Sequence, residues 1–355
     1  MGRLARSSIA LTLVALTALV SVPAHADTTD TDVTESSSSA ARESATVTVP
    51  VHTTSGMRAL TGKAGSIEIQ VGDSHPFRVA VDTGFTGLLL FPGADLGRVL
   101  SALPPDSRVA TTLSNGWKVK GLPGKATLTI SGVQSVTPVP FLYTTSSSPF
   151  FNALRSTGVH GLLGIGLKGS SVMTNPLQAM PGELGVRWSM HYSRNNARKG
   201  KDAGVIVLGA LPPTDPTMVF EMPANGTDAN GANLWDDHSV NACWTFGRLD
   251  EMCLPTTFDS EFTVLRATGV SGRGLQTDAD GDFRYGTPVK LAAPGSAFTG
   301  WSYRSGQRAS DTRTQAFKHG KPAVNTGNAP FFDFTITYNT VTGRLYLSDP
   351  VRKAA

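Results

Sequence analysis

The chain lacks several features that define whole classes of proteins. Only 16% of its 355 residues are charged, and no run of five like charges occurs, which argues against nucleic-acid binding. Beyond the N-terminal stretch, no segment reaches 18 consecutive apolar residues, so no membrane span is expected. A zinc-binding H-E-x-x-H motif, a G-x-S-x-G nucleophile elbow and a phosphate-binding loop are also missing. The sequence therefore predicts no nucleic acid, membrane or cofactor as a partner.

Cysteine is nearly absent as well. The only two, Cys243 and Cys253, flank a short segment with the appearance of a hairpin turn, and in an exported protein we expect them to form one disulfide. A metal site built on two lone cysteines is a weaker interpretation. The acidic turn Asp278–Asp282 resembles a calcium loop but has no Glu at the twelfth position. No metal site is predicted.

The N-terminus has the pattern of a secretory signal. Two arginines precede an apolar stretch from Ile9 to Val22, and an Ala-His-Ala sequence ends at Ala26. We predict a signal peptide over residues 1–26, cleaved after Ala26, and a secreted, extracellular protein. Residues 27–46 are rich in Ser, Thr, Asp and Glu with almost nothing to bury, so this segment is predicted to be disordered.

The remainder of the chain favours β-structure. Its 37 Gly and 22 Pro indicate many turns, and period-two alternation predicts the strands Ala45–Val51, Gly65–Val71, Phe77–Val81, Lys125–Ile130, Gly204–Leu208, Glu261–Leu265 and Phe334–Tyr338. Three short windows indicate helices, namely Asp95–Leu103, Phe151–Ser156 and, more weakly, Leu177–Leu184. A polar, basic stretch at 193–201 separates residues 47–192, the predicted N-terminal lobe, from residues 202–355, the predicted C-terminal lobe.

Two short stretches, one in each half, repeat the same residue pattern. Val81–Thr86 reads Val-Asp-Thr-Gly-Phe-Thr, and Phe258–Thr263 reads Phe-Asp-Ser-Glu-Phe-Thr, 177 residues later. Each Asp, Asp82 and Asp259, follows a hydrophobic run where a buried strand should turn into a loop. Two carboxylates brought face to face cannot both ionise easily, so they share a proton and can act together as acid and base.

Further landmarks follow in a recognisable order. Besides the loop at Asp82, these are Leu162–Gly166, Asn175–Met190, Gly204–Ala210, the Cys-bounded hairpin before Asp259, and Gly327–Leu347. In this order the chain, from about residue 50 to 350, resembles the pepsin-like aspartic endopeptidases. The resemblance implies a mostly β, bilobal fold of two pseudo-symmetric, barrel-like lobes with a cleft between them.

The resemblance also implies roles for individual residues. Asp82 and Asp259 would hold one water molecule between them and use it to hydrolyse a peptide bond. The hydroxyls of Thr83 and Ser260 would bond across the lobe interface, and Gly84 would let an amide approach a carboxylate with no side chain in the way. A monomer that cleaves extended peptides or proteins, best at acidic pH, is expected.

Three features depart from the family's pattern. Glu261 stands where the second loop should carry Gly, a position expected to need positive φ, and its carboxylate should raise the pKa values of the pair. Phe85 and Phe262 replace hydroxyl residues that would bond the outer oxygens of the two Asp, which predicts less well oriented carboxylates. The second threading strand, Asn325–Gly327, is more polar than expected.

The hairpin 115–121 is the candidate for a flap over the cleft, with Trp117 as its aromatic residue; a surface Trp in an ordinary hairpin is the alternative. Three functions stay open. The first is an active endopeptidase. The second is a catalytically weak or inactive protein of the same fold that binds a peptide or glycan, favoured by Glu261. The third is a β-rich secreted adhesin or scaffold with coincidental Asp loops.

Overall fold

The described residues extend from 46 to 350 with several gaps. The structure, a computed structural model, describes residues 46–53, 65–103, 107–112, 118–144, 149–169, 173–193, 202–228, 231, 233–296, 300–306 and 313–350. The predicted signal peptide, nearly all of segment 27–46, linker residues 194–201 and the flap residue Trp117 lie outside them. The fold is mostly β, with 49% strand and 9% helix, which confirms the predicted class.

The described part of the chain forms strands β1 to β24. Their bounds are β1 Val47–Thr53, β2 Gly65–Val71, β3 Phe77–Asp82, β4 Thr86–Leu90, β5 Val109–Thr112, β6 Lys118–Ala126, β7 Leu128–Ile130, β8 Val133–Gln134, β9 Val139–Tyr143, β10 Val159–Ile165, β11 Arg187–Tyr192, β12 Asp202–Leu208, β13 Met218–Glu221, β14 Ala224–Thr227, β15 Asn233–Trp235, β16 Val240–Phe246, β17 Met252–Thr257, β18 Val264–Thr268, β19 Pro288–Ala292, β20 Trp301–Arg304, β21 Arg313–Phe317, β22 Ala323–Asn325, β23 Thr335–Asn339 and β24 Arg344–Ser348.

Helices are short. They are α1 Arg98–Ser101, α2 Pro149–Ser156, α3 Glu183–Val186 and α4 Ala329–Asp333, with a 3-10 helix at Pro176–Ala179. The predicted helix Leu177–Leu184 is divided between the 3-10 helix and α3, because Met180 is extended, with a ψ of 153°, and Gly182 adopts a φ of 52°, so neither residue continues a right-handed helix. No described helix is long and apolar enough to cross a membrane.

The largest sheet draws strands from both halves of the sequence. Its order is β13-β24-β23-β11-β12-β1-β2-β3-β10-β4-β9-β6-β5, with β7 and β8 attached beside β2. The first described strand, β1, pairs with β12 on one side and β2 on the other, and β11 pairs with β23. The two halves therefore share one sheet, and the described residues from Thr46 onward belong to one compact unit.

A second sheet is built entirely from the second half. It has seven strands in the order β20-β19-β16-β17-β22-β18-β21, and a separate hairpin joins β14 to β15. Its central hairpin, β16–β17, pairs Cys243 directly opposite Cys253, and the two form the predicted disulfide.

One four-strand arrangement occurs twice. In the first half, β3 is parallel to β10, β10 is antiparallel to β4, and β4 is parallel to β9. In the second half, β17 is parallel to β22, β22 is antiparallel to β18, and β18 is parallel to β21. We call these the first and second four-strand units. Asp82 ends the first strand of its unit, and Asp259 follows the first strand of the other.

Apolar residues fill the space around these units as period-two alternation requires. A main core cluster takes inward-facing residues from both sheets, including Val81, Leu163 and Leu265. A smaller cluster packs on the opposite face of the first unit, where Leu89 and Leu162 meet Phe151 of α2. Because strand side chains alternate between faces, each unit has one face that packs on the main core. The residues on the other face can differ between the two units.

Candidate active site

The first loop holds Asp82 through its own backbone. Asp82 is the last residue of β3, next to Gly164 on β10, and is 5% exposed. Its Oδ1 accepts a hydrogen bond from the amide of Gly84 at 2.8 Å. A short loop after a buried parallel strand thus places one carboxyl at the edge of the sheet with a fixed orientation.

The second loop holds Asp259 with more donors. Asp259 is 2% exposed, and its Oδ1 accepts hydrogen bonds from the amides of Glu261 and Phe262, both at 3.1 Å. Its Oδ2 accepts a further bond from Nδ2 of Asn325 at 2.7 Å. Both oxygens of this carboxyl therefore have donors among the described residues.

Two hydroxyl residues lock the loops together. The amide of Thr83 donates to Oγ of Ser260 at 3.1 Å, and the amide of Ser260 donates to Oγ1 of Thr83 at 2.8 Å. The two hydroxyls then donate onward, Thr83 to the carbonyl of Phe258 at 2.6 Å and Ser260 to that of Val81 at 3.1 Å. This reciprocal set of four buried bonds joins residues about 177 positions apart and fixes the two loops relative to each other.

Gly84 lies between the two carboxyls. Its amide bonds Asp82, and a Cβ added to it would lie 2.6 Å from Oδ2 and 2.7 Å from Cγ of Asp259. Any larger residue would displace the Asp259 carboxyl. Gly84 is therefore the residue whose lack of a side chain lets Asp82 and Asp259 approach each other.

Burial and mutual repulsion change the acidity of the site. The pKa of Asp82 is raised well above its usual value, first by burial and then by the negative charges of Asp259 and Glu261, with Asp237 adding a smaller effect. The amide of Gly84 opposes the rise. A buried carboxyl facing other carboxyls keeps its proton, as a general acid must.

Glu261 is a third carboxyl in this cluster. It is 6% exposed, burial and the charge of Asp259 raise its pKa to about 8, and its Oε1 has no hydrogen-bond partner among the described residues. The expectation that this position needs positive φ is wrong, because Ser131 is the only non-glycine residue with positive φ in the described chain. Glu261 therefore affects the site through its charge and volume, without backbone strain.

The predicted effect of the two phenylalanines is wrong for Asp259. No hydroxyl is needed there, because the polar residue Asn325 on β22 donates to its Oδ2 and the backbone amide of Phe262 donates to its Oδ1. Phe85 is buried in the smaller core cluster, while Phe262 is half-buried. The unexpected polarity of Asn325–Gly327 in the sequence was the signal for this donor.

Arg266 was missed by the sequence analysis. It lies on β18 opposite Asn325 on β22, and its guanidinium carbon is 4.1 Å from the ring centroid of Phe262 and 5.4 Å from that of Phe317. Burial lowers its pKa, and the charge of Asp259 raises it. A cation thus lies within electrostatic reach of the second loop, in contact with the faces of two phenyl rings.

Asp237 is a second residue that the sequence did not reveal. It is buried and accepts hydrogen bonds from the amides of Leu167 at 2.6 Å and Lys168 at 3.0 Å, just beyond β10. Burial raises its pKa. It ties the end of β10 to the second half, and no local motif marks it.

The flap prediction is not tested. Strands β5 and β6 pair antiparallel with Thr112 opposite Lys118, so a hairpin exists there, but its connecting residues, including Trp117, lie outside the described residues.

The two sequence features that were weighed as metal sites have structural roles. Among the described residues, Cys243, Cys253 and Glu251 bring possible metal-ligand atoms close together. Both sulfur atoms, however, form the disulfide. In the acidic turn, Oδ1 of Asp278 accepts the amides of Asp280 and Asp282, both at 2.9 Å. That carboxylate stabilises its own turn.

A cavity of about 620 Å³ lies away from the two loops, between α1, β6 and β9. It is lined by residues that include Arg98, Val99, Leu103 and Phe141, and neither Asp82 nor Asp259 borders it. The chemistry-bearing residues lie elsewhere, at the junction of the two Asp loops. No protein-family model matches the chain, and a search of curated proteins found no match to its sequence.

Proposed function

We propose that the chain is a pepsin-like aspartic endopeptidase, which hydrolyses peptide bonds with a water molecule activated between Asp82 and Asp259. The observation that supports this most is the reciprocal pair of hydrogen bonds between Thr83 and Ser260. Those bonds hold both Asp loops together around Gly84, whose hydrogen atom leaves room for two carboxyls.

The proposed chemistry uses one shared proton. The ionised carboxyl removes a proton from the water while the water oxygen bonds to the peptide carbonyl carbon. The protonated carboxyl donates its proton to the developing oxyanion. Collapse of the tetrahedral intermediate then breaks the C–N bond, as the leaving nitrogen takes the proton that the first carboxyl removed from the water. The second carboxyl regains its proton from the hydroxyl that becomes the new carbonyl oxygen. The raised pKa of Asp82 suits this reaction, because it keeps a proton available on the dyad towards neutral pH.

The finer fold proposal is the bilobal pepsin-like architecture. The repeated four-strand unit supports it, because the same parallel, antiparallel, parallel order precedes and follows each Asp loop. An extended peptide or protein is the proposed substrate, bound by a monomer in a cleft between the lobes, with Trp117 covering it as a flap.

Export is proposed on two grounds. The Cys243–Cys253 disulfide suits an oxidising compartment, and the N-terminal pattern ending at Ala26 is typical of a cleaved signal peptide. The protein is accordingly proposed to act outside the cell.

A second candidate function is peptide or glycan binding without hydrolysis. Glu261 favours it, because its buried carboxyl adds volume and a third acidic group where the first loop has Gly84. Such a site would retain the cleft but orient the catalytic water poorly.

Cleavage of a denatured protein, followed from acidic to neutral pH, tests the proposal. We expect Asp82→Asn to lower the rate by at least about 10³-fold, since a group that must transfer a proton is lost, and a statine-type inhibitor to block the native protein. Asp250→Asn, at an exposed position, is the matched control and should retain activity. Full cleavage by Asp82→Asn would refute the endopeptidase.

Glu261→Gly separates the two candidates. An endopeptidase already active with Glu261 excludes the binding-only function. An inactive native protein that gains cleavage on this substitution supports a site that has lost hydrolysis and retained binding.

A further inference from the structure

Asn325 and Arg266 form one cross-strand pair beside Asp259. They lie opposite each other on β22 and β18, and the amide of Asn325 is fixed at both ends. Its Oδ1 accepts the backbone amide of Gly327 at 2.9 Å, so its Nδ2 is directed to Oδ2 of Asp259 at 2.7 Å. Since an amide nitrogen only donates, this contact favours a carboxylate that accepts.

Arg266 supplies positive charge on the same side of the sheet. Its guanidinium lies against the rings of Phe262 and Phe317, and it interacts electrostatically with Asp259. Stacking restricts the side chain, so its charge stays close to the second loop. Asp259 thus has three hydrogen-bond donors and a neighbouring cation, which oppose the repulsion it meets from the carboxyls of Asp82 and Glu261.

Asp82 has a different environment. Among the described residues it accepts one hydrogen bond, from the amide of Gly84. The ionisable groups that act on it are the carboxyls of Asp259, Glu261 and Asp237. The two nearby tyrosines, Tyr192 and Tyr338, have pKa values raised by burial, so they contribute no charge.

We propose that Asn325 and Arg266 are positioning residues that hold Asp259 as the ionised member of the dyad and leave the shared proton on Asp82. The proposal rests on the proposed endopeptidase and assigns its roles. Asp259 accepts the proton released when the O–H bond of the water breaks and its oxygen bonds the carbonyl carbon. Asp82 gives its proton to the carbonyl oxygen. Each of the two proton transfers therefore breaks one O–H bond and forms another.

The pH dependence of kcat/KM tests the positioning role. In Asn325→Leu, which installs the residue found at the equivalent place in the first unit, the pH at which the free enzyme loses its first dyad proton should rise by about one unit. Arg266→Leu should raise it in the same direction by about half a unit, because the cation is partly exposed to solvent.

Arg266→Lys is the matched control. It keeps the charge and should leave the acidic limb of the profile in place. The proposal would be overturned if the acidic limb of the kcat/KM profile stayed at the same pH in both Leu variants. It would also be overturned if that limb shifted equally in Arg266→Lys and Arg266→Leu.

A carboxyl titration by 13C NMR tests the proton's position without requiring activity. In Asp82→Asn, whose amide imitates the neutral partner, the remaining dyad carboxyl should ionise at a lower pH than the one that remains in Asp259→Asn. The reverse order would place the proton on Asp259 and refute the assignment. An inactive protein that titrates in the expected order would refute the endopeptidase alone, so the two failures are distinguishable.

Discussion

The two four-strand units have the same strand order but opposite chemistry on the face away from the main core. In the first unit, Leu89 on β4 pairs with Leu162 on β10, and both are completely buried. At the equivalent places of the second unit, Arg266 on β18 pairs with Asn325 on β22, and both are partly exposed. Arg266 lies 177 positions after Leu89, the same separation as the two Asp residues.

This difference shows two ways of supporting an acidic loop. The first loop rests on an apolar layer covered by α2, and Asp82 is oriented by one amide. The second rests on a polar pair that contacts Asp259 directly or electrostatically. A repeated backbone can therefore place two identical groups in unequal environments, as a reaction that needs one acid and one base requires.

Exchange of residues between the units should give the largest effect. Leu89→Arg buries a charge without a partner in the smaller core cluster, so we expect a loss of at least about 4 kcal/mol in the free energy of unfolding, or failure to fold. Arg266→Leu should change it by no more than about 1 kcal/mol, because the side chain is half-exposed. Urea denaturation measures both; equal losses would show that the two faces are equally packed.

The two loops should also differ in their tolerance of a side chain two residues after the Asp, where the first loop has Gly84 and the second has Glu261. Gly84→Ala places a Cβ against the Asp259 carboxyl, which three donors hold in place. We expect kcat/KM to fall by about 10²-fold, as a displaced reacting group predicts. Gly272→Ala, at an exposed glycine whose added Cβ meets only the side chain of Leu249, is the control. Unchanged activity of Gly84→Ala would mean that the close approach of the two carboxyls does not depend on the missing side chain of Gly84.

Glu261→Gln should change how the stability of the protein depends on pH. The pKa of Glu261 is raised from 4.5 to about 8 on folding, so the folded protein binds the extra proton and loses stability as pH rises through that window. Removing the carboxyl should leave stability near pH 4 unchanged and raise it by on the order of 2 to 3 kcal/mol at pH 7. Thermal unfolding at both pH values measures this; parallel curves for native and variant protein would exclude a buried, neutral Glu261.

The smallest expected effect tests the link between the loops. Thr83→Val and Ser260→Ala each remove one hydroxyl of the reciprocal set. Each variant removes a different two of the four bonds, but all four hold the same two loops together. Because the remaining two bonds are worth less once the loops have loosened, the double variant should lose less stability than the two single losses combined, with a coupling of about 1 to 2 kcal/mol. Additive losses would indicate that the two loops are stabilised separately.

The strands were the most predictable part of the molecule, because alternating burial is local. Gly65–Val71 was predicted with the bounds of β2, whereas the predicted strand Glu261–Leu265 is wrong at its start, since β18 begins at Val264. The amides of Glu261 and Phe262 bond the Asp259 carboxyl, a role that period-two alternation cannot reveal.

The candidate site divides in the same way. The repeated Asp motif identified both loops, and the two-cysteine spacing predicted the disulfide. Arg266 and Asp237 could not be predicted from the sequence, because their contacts are with residues far along the chain. Arg266 pairs with Asn325 on a neighbouring strand, and Asp237 accepts the amide of Leu167. Asn325 was visible only as unexpected polarity, since its donor role depends on a partner 66 positions away.

The central position of β1 in the large sheet has a consequence for biosynthesis. One edge of β1 meets β2, but its other edge meets β12, which begins at Asp202. During translation the first half must therefore wait with an open strand edge until the second half emerges, and such edges invite pairing with other chains. If the chain is exported as proposed, crossing the membrane before folding would be an advantage, because pairing of β1 with a wrong partner would prevent its pairing with β12.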